Sequence, residues 1–478
     1  MRWGRLTLAS ASAPAAGNRT AGWLPVNDPA TGEPVGYVQA LPTDEVRAAV
    51  ASAYTTFPAW SGESHQTRGA ILRRLSELIS EHGEDLAALL TAEQGKPLAE
   101  ARAEVTSAAG YFSFFAEEAR RMNGEIIATP RADSRILVTH KPVGVVAAIT
   151  PWNFPVSMVA RKIAPALAAG CTVVLKPAPQ TPLCALALAR LGREAGLPEG
   201  ALEVVTGDAE TIGSVLTQDP RIAFLSFTGS TATGRLLYGQ CASTIKKLGL
   251  ELGGHAPFIV LSDADLDKAA ALAAAAKFRN AGQTCVCPNR FFIHDAVYDD
   301  FLTRFLAQVD QLVPGDGRDP KSTLAPLIDD AALAKVERHV ADAISQGAKL
   351  TRGGRRAVAG CTWYEATVLE NILPGMLISR EETFGPVAAL TRFSDLNEVR
   401  ASINASPYGL AGYIFGRDIS LLLRTAEALD LGMVGINAIH LGLEMAPIGG
   451  VKQSGLGREG GHAGILEYCE QQYLLIGL

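Results

Sequence analysis

Three stretches of this chain are apolar on both faces of any strand they form, and nothing else in it constrains the fold as strongly. They are Val143-Gly144-Val145-Val146-Ala147-Ala148-Ile149, Cys171-Thr172-Val173-Val174-Leu175 and Ile222-Ala223-Phe224-Leu225-Ser226-Phe227. Such strands need cover on both sides, which a sheet with one wet face does not provide. Between them run helical patterns over Met158 to Ala169, Leu183 to Ala195 and Thr211 to Leu216, with a further strand at Leu202 to Val205. The alternation predicts an α/β fold, a parallel sheet with helices on both faces.

Upstream, Asp44 to Tyr111 reads as helix, with Ile71-Leu72-x-x-Leu75-x-x-Leu78 as its clearest stripe. Downstream, a second α/β unit begins with a helix at Leu266 to Phe278 and a polar loop ending at Cys285. It continues through Phe292, Val297 to Leu312, Ala331 to Gln346 and Val387 to Leu390, and a last strand is expected over Tyr468 to Leu478. A length of 478 residues suits two or three domains.

Charge and cysteine usage narrow the function. The net charge is −6, from 43 Lys plus Arg against 49 Asp plus Glu, with no basic run, so nucleic acid is not an expected partner. An acidic surface gives no general pull on anions, so an anionic substrate needs its own cationic pocket. No stretch reaches the roughly 20 apolar residues of a membrane span. Met1 to Gly17 reads as a loose Ala/Ser-rich tail, because Leu6-Thr7-Leu8-Ala9 is too short for a signal peptide. The seven scattered cysteines do not form a disulfide pattern and fit a reducing, cytoplasmic setting. Cys285-Val286-Cys287 lacks zinc-knuckle spacing and no His-x-x-x-His occurs, so no metal is expected.

Several residues have chemical potential, each with a plainer alternative. Cys285, after Gly282-Gln283-Thr284, is a nucleophile presented by a loop or an ordinary core thiol. Glu251, before Leu252-Gly253-Gly254, is a general base or a solvated glutamate in a turn. Thr150-Pro151-Trp152-Asn153-Phe154-Pro155 closes an apolar strand, where parallel sheets bind ligands. Asn153 there either aims its amide at an oxyanion or satisfies its own backbone. Lys176 also closes a strand. Thr228-Gly229-Ser230 precedes a helix whose start can take a pyrophosphate, although many helices follow a glycine.

Taken in order, the motifs are more specific than any one of them. Trp152-Asn153-Phe154-Pro155, Lys176-Pro177, Phe227-Thr228-Gly229-Ser230, Glu251-Leu252-Gly253-Gly254, Gly282-Gln283-Thr284-Cys285 and Glu382-Thr383-Phe384-Gly385-Pro386 together resemble the aldehyde dehydrogenase superfamily. The resemblance runs from about Asn27 to the C-terminus. It implies a Rossmann-like NAD(P)-binding domain from 1–122 and 141–252, a catalytic domain from 253–450, and oligomerisation strands at 123–140 and 466–478. A homodimer or homotetramer follows from it. So does the chemistry: Cys285 attacks the aldehyde, Asn153 and the Cys285 backbone N–H hold the oxyanion, and Glu251 activates the water that hydrolyses a thioester. The cofactor, NAD or NADP, would meet Thr150, Pro151, Trp152, Lys176, Pro179, Gly229, Ser230, Glu382 and Phe384.

Lys277 to Arg290 and Pro447 to Gly460 look specifically like succinate-semialdehyde dehydrogenases. That likeness implies two substrate-carboxylate arginines, which match Arg161 and Arg279 here, and Cys287 as a redox partner of Cys285. Arginine suits the task through its planar, permanently charged fork. Gly442 stands where the subfamily has a carboxylate-binding serine. This leaves glutarate or 2-oxoglutarate semialdehyde as alternatives to succinate semialdehyde. Pro179 stands where a glutamate would repel a 2′-phosphate, so neither NAD nor NADP is excluded.

Overall fold

The computed structural model describes residues 22–358 and 360–478, and the backbone of 2–3 and 6–7. Apart from those four positions, the N-terminal tail expected from sequence lies outside the described residues. The first large sheet has six strands, in the order Gly455–Leu456, Lys247–Glu251, Ile222–Thr228, Val145–Ile149, Thr172–Lys176, Leu202–Val204. All pairings are parallel except that of Gly455–Leu456 with Lys247–Glu251. The doubly apolar runs are the central strands, fully buried at Val145–Ile149 and Thr172–Lys176. Helices Ser157–Ala169, Leu183–Glu194, Ala209–Gln218 and Thr231–Cys241 cover the faces. From Val145–Ile149 the chain first builds outward to Thr172–Lys176, then returns to the other side at Ile222–Thr228. That reversal opens a crevice at the carboxyl ends of these two strands.

Lys247–Glu251 leads through four residues into Ala256–Val260 of a second, seven-stranded sheet. Its order is Lys349–Arg352, Thr367–Glu370, Val387–Phe393, Pro288–His294, Ala256–Val260, Ala411–Phe415, Met433–Ile436. Only the outermost pair, Lys349–Arg352 with Thr367–Glu370, is antiparallel. Because the chain crosses directly between sheets, the amino edge of the second faces the carboxyl edge of the first. After Pro447 the chain returns to the first half, where Ile448, Ile465 and Tyr468 join its core. Cys469–Gly477, Ser134–Pro142 and Glu125–Ile127 form a separate three-stranded antiparallel sheet. Among the described residues no helix is long and apolar enough to cross a membrane.

Most elements fall within a few residues of their expected bounds. Glu251 differs: it ends a strand and is buried, rather than sitting solvated in a turn. The strand pairing that fixes it joins residues distant in sequence, so local turn chemistry misleads there.

The helix Leu98–Glu118 is tied to the crevice by charge. Glu104 accepts from Lys96 Nζ at 2.5 Å, and both side chains are fully buried. Its other oxygen accepts from the backbone N–H groups of Val156 and Ser157, at the start of helix Ser157–Ala169. Removing one partner of such a pair leaves a buried, uncompensated charge. Glu104→Ala is therefore expected to lower the unfolding free energy by about 3–5 kcal/mol, measured by urea denaturation. A loss under about 1 kcal/mol, as for an exposed pair, would contradict that role.

Candidate active site

Two bracketing prolines, Pro151 and Pro155, turn the chain sharply after Val145–Ile149 and carry Asn153 into the gap between the sheets. Asn153 is buried, and its Nδ2 donates to the Gln283 carbonyl at 3.0 Å. Its own carbonyl accepts from Lys96 Nζ at 2.8 Å and from Asn280 Nδ2 at 3.0 Å. The Asn153 backbone is thus fixed from two sides, with one amide hydrogen still available to the gap.

The cysteine loop is held just as firmly. Asn280 and Ala281 adopt left-handed φ of 49° and 53°, followed by Gly282 at 75°. Consecutive non-glycine residues in that region are strained, and the surroundings must enforce them. Gln94 Nε2 donates to Asn280 Oδ1, Gln283 Nε2 donates to the carbonyls of Asn280 and Pro326, and Gln283 Oε1 accepts from Ile328 N–H. A Cβ on Gly282 would stand 2.2 Å from the Gly385 carbonyl, and one on Gly254 2.7 Å from the Cys285 carbonyl. These two glycines let three loops at the amino edge of the second sheet close on one another.

Cys285 is partly exposed, at the meeting point of two cavities. One, of about 240 Å³, is lined by Phe154, Arg161, Arg279, Thr284, Gly442 and Leu443. The other, of about 320 Å³, is lined by Trp152, Asn153, Gly229, Ser230, Glu382 and Phe384. Cys285, Glu251, Thr228 and Met158 line both. The arrangement suits two reactants approaching one sulfur from opposite sides. Trp152 and Phe384 meet edge to face at 5.5 Å across the second cavity. Ser230 caps helix Thr231–Cys241 through the Thr233 N–H. Lys176 is buried at the end of the next strand, while Pro179 is exposed. Thr150 and Thr228 have buried hydroxyls without partners among the described residues.

The electrostatics keep protons on the reactive groups. Burial pushes the Cys285 thiol up to about 12; Arg161 opposes this, and Glu382 and Glu251 add to it. Glu251 is raised well above the usual carboxylate range by burial and by Glu459, against Lys162 and Arg161. Its Oε1 has no hydrogen-bond partner among the described residues. Glu382 is pushed up to about 7 by burial, and it accepts from the Gly254 N–H. Behind Glu251, Lys162 Nζ bridges Glu459 at 2.6 Å and Ser226 at 2.9 Å.

Arg161 and Arg279 both reach the first cavity without an ion-pair partner among the described residues. Arg279 lies over the Phe154 ring at 4.8 Å. Cys287 turns away from both cavities into the core, where Lys277 Nζ donates to its sulfur at 3.3 Å. All seven cysteines are free thiols.

Sequence reasoning singled out Cys285, Glu251, Asn153 and both arginines, and all five meet here. It missed Lys96, Glu104, Lys162 and Glu459. The Lys162–Glu459 pair spans 297 residues of sequence and leaves no local signal. Asn280 and Gln283 were visible only as neighbours of Cys285.

A thiol held up to about 12 is protonated in the free protein at neutral pH. Alkylation of Cys285 by iodoacetamide is therefore expected to rise about tenfold per pH unit from pH 7.5 to 9.5, without a plateau. Glu382→Gln deletes a negative charge facing the sulfur and is expected to speed alkylation at pH 8. A plateau near pH 8 would show that the proton had already left.

The comparisons agree with this geometry. Residues 17–474 match the aldehyde dehydrogenase family model. The chain is 51% identical to a succinate-semialdehyde dehydrogenase [NADP(+)] of Escherichia coli (strain K12), covering 95% of this chain and 94% of that one. It is 50% identical to a glutarate-semialdehyde dehydrogenase of Pseudomonas aeruginosa, again over 95% and 94%. The crystal structure of a succinate-semialdehyde dehydrogenase from Burkholderia pseudomallei superposes with a TM-score of 0.94 at 51% identity, over 95% of both chains. With a match across nearly its whole length and the sulfur, amide and carboxylate gathered at one point, the chain belongs to the aldehyde dehydrogenase family.

Proposed function

We propose that this protein oxidises a carboxylate-ended aldehyde, with succinate semialdehyde as first substrate, using NAD or NADP. The observation that carries the substrate class is the pair of arginines, Arg161 and Arg279, which line the cavity that ends at Cys285 together with Glu251 and Glu459 and make no ion pair among the described residues. A desolvated guanidinium is costly unless an anion meets it. The names of the two bacterial relatives, ending in succinate and glutarate semialdehyde, agree with a four- or five-carbon acid.

Cys285 is the catalytic nucleophile. Its proton passes to Glu251 in its ionised form, whose affinity for a proton is raised by burial. The sulfur bonds to the aldehyde carbon, and the oxygen becomes an anion held by Asn153 Nδ2 and the Cys285 N–H. Loss of hydride from that carbon leaves a thioester on Cys285. Glu251, after passing its first proton to solvent, then takes a proton from water, whose oxygen attacks the thioester carbon; as the intermediate collapses to the acid, Glu251 returns that proton to the departing sulfur and the Cys285 thiol is restored.

The second cavity fits a nicotinamide dinucleotide. A Cβ on Gly229 would meet the Phe227 ring at 2.4 Å, and one on Gly253 would press on Glu382 Oε2 at 3.0 Å, so both walls are cut back to backbone. Lys176, Ser230, Trp152, Glu382 and Phe384 would hold it, with Thr150, Pro151, Gly229 and Pro179 around them. When bound it supplies the hydride acceptor.

Further inferred features concern assembly and setting. We infer a cofactor domain (1–122, 141–252), a catalytic domain (253–450) and oligomerisation strands (123–140, 466–478), a division supported by the three separate sheets. The outer edge of Cys469–Gly477 is unpaired among the described residues, and the sheet exposes Tyr473 and Leu475 on that strand, with Leu478 just beyond it and Ile126 on its other edge strand. Natural proteins rarely leave such an edge bare, which favours a homodimer or homotetramer. Free thiols suit a reducing cytoplasm. Oxidation of Cys285 by pairing with Cys287 would first require Cys287 to leave Lys277.

The decisive test compares kcat/KM for succinate semialdehyde and butanal, followed at 340 nm. With about 1.5–3 kcal/mol per charged hydrogen bond, Arg279→Ala is expected to lower the acid-to-butanal ratio about 10- to 150-fold. Equal loss on both aldehydes would refute the carboxylate clamp, and full activity of Cys285→Ala would refute the mechanism. Pro179→Glu is expected to cut kcat/KM for NADP at least tenfold more than for NAD. An unchanged ratio would remove position 179 from the ribose site.

A further inference from the structure

The middle strand of a parallel sheet is normally apolar on both faces, yet here it carries an arginine. Pro288–His294 is the fourth of seven strands in the second sheet. Side chains alternate along it. Phe291 and Ile293 enter the main core of that half, while Phe292 joins a smaller cluster with Ile259 and Phe393. Arg290 shares the Phe292 face. On the neighbouring strand Arg290 is paired with Ala389 and Phe292 with Thr391, so a small side chain lies beside the guanidinium stem.

That face opens on a cavity of about 460 Å³, which shares no lining residue with the two that meet at Cys285. Its charged lining groups are Arg290 and Arg380, and no aspartate or glutamate lines it. Arg290 Nε donates to the His255 carbonyl at 3.2 Å, and its guanidinium lies 6.0 Å from the Phe292 ring centre. Its two fork nitrogens make no hydrogen bond or ion pair among the described residues. Burial pulls the Arg290 charge down to about 10, and no carboxylate opposes it. His255 brings no counter-charge: it is buried, and burial and Arg290 hold it neutral. Arg380 is exposed and donates to the Gly375 carbonyl. Ile372, Leu373 and Pro374 give the cavity an apolar wall.

We propose that this cavity is a second ligand site, which binds the phosphate group of a phosphorylated small molecule between Arg290 and Arg380. A desolvated guanidinium is costly until an anion meets it, and its planar fork matches two phosphate oxygens. Two cations without an acid suit a group of nearly two negative charges, which a phosphate monoester carries at neutral pH. A carboxylate supplies only one. The apolar body of the ligand lies on the wall formed by Ile372, Leu373 and Pro374.

The test is a calorimetric titration with phenyl phosphate, benzoate and benzyl alcohol. The protein is first saturated with NADP and succinate, so that the cavities at Cys285 are filled. Phenyl phosphate is expected to bind about tenfold more tightly than benzoate, and benzyl alcohol to give no binding heat. Arg290→Gln and Arg380→Glu are each expected to weaken phenyl phosphate about tenfold or more, with the rate of cofactor reduction unchanged. Arg380 is exposed, so its variant carries the test even if Arg290→Gln fails to fold. Undiminished binding in Arg380→Glu, or benzyl alcohol binding as tightly as phenyl phosphate, would overturn the proposal. Benzoate equal to phenyl phosphate would overturn the phosphate assignment. Binding lost in Arg279→Ala and kept in Arg380→Glu would place the anion in the substrate cavity and sink the second site.

Discussion

A single buried ammonium, that of Lys96, connects the parts of this protein that must not move relative to one another. It donates to Glu104 on helix Leu98–Glu118 and to the carbonyl of Asn153, and it lies 4.0 Å from the Phe154 ring centre. Burial pulls the Lys96 charge down, and Glu104 is the strongest group opposing it. Glu104 in turn fixes the start of helix Ser157–Ala169, which carries Arg161 and Lys162. The cost of desolvating two ions is offset only when geometry is tight and remaining lone pairs are satisfied. Here the second Glu104 oxygen is satisfied by two backbone N–H groups. The pair therefore works as a register pin that ties Asn153 to the start of the helix carrying Arg161.

The site follows from how the two sheets are joined. A parallel sheet gathers its loops at the carboxyl edge, and the first sheet obeys that rule with Asn153, Lys176, Ser230 and Glu251. The second sheet contributes from its amino edge, through the loops before Pro288, Val387 and Ala411. This inversion comes from the short link between Lys247–Glu251 and Ala256–Val260, which runs one strand almost into the next. Glycine makes the resulting crowding possible. Gly254 and Gly282 lie against carbonyls of neighbouring loops at distances no side chain tolerates.

That inversion also explains what was legible in the sequence. The first sheet could be read strand by strand, because doubly buried strands have an apolar signature of their own. Cys285 and Glu251 were recognisable by motif order, but their environments were not. Glu251 lies beside glycines that suggest an open turn, yet its burial comes from strands paired on both sides, Ile222–Thr228 and Gly455–Leu456. Lys96, Glu104, Gln94 and Gln283 are of residue types usually exposed. Each is buried because a partner from a distant segment satisfies it. Periodicity and propensity carry no information about such partners.

The same physics separates the two ends of the substrate cavity. At the Cys285 end, burial above all, with Glu382 and Glu251 adding to it against Arg161, disfavours negative charge on the sulfur. At the far end, two guanidiniums make no ion pair among the described residues. A substrate carrying its own carboxylate would neutralise that end on binding and fix its aldehyde carbon at a set distance from the sulfur. Binding energy from the remote anion would thus be converted into alignment of the reacting carbon, where displacement of an ångström can cost about a hundredfold in rate. An uncharged aldehyde meets the same nucleophile without that constraint. Selectivity in such a pocket resides in distance as much as in charge, and the distance is set by whatever holds the arginine.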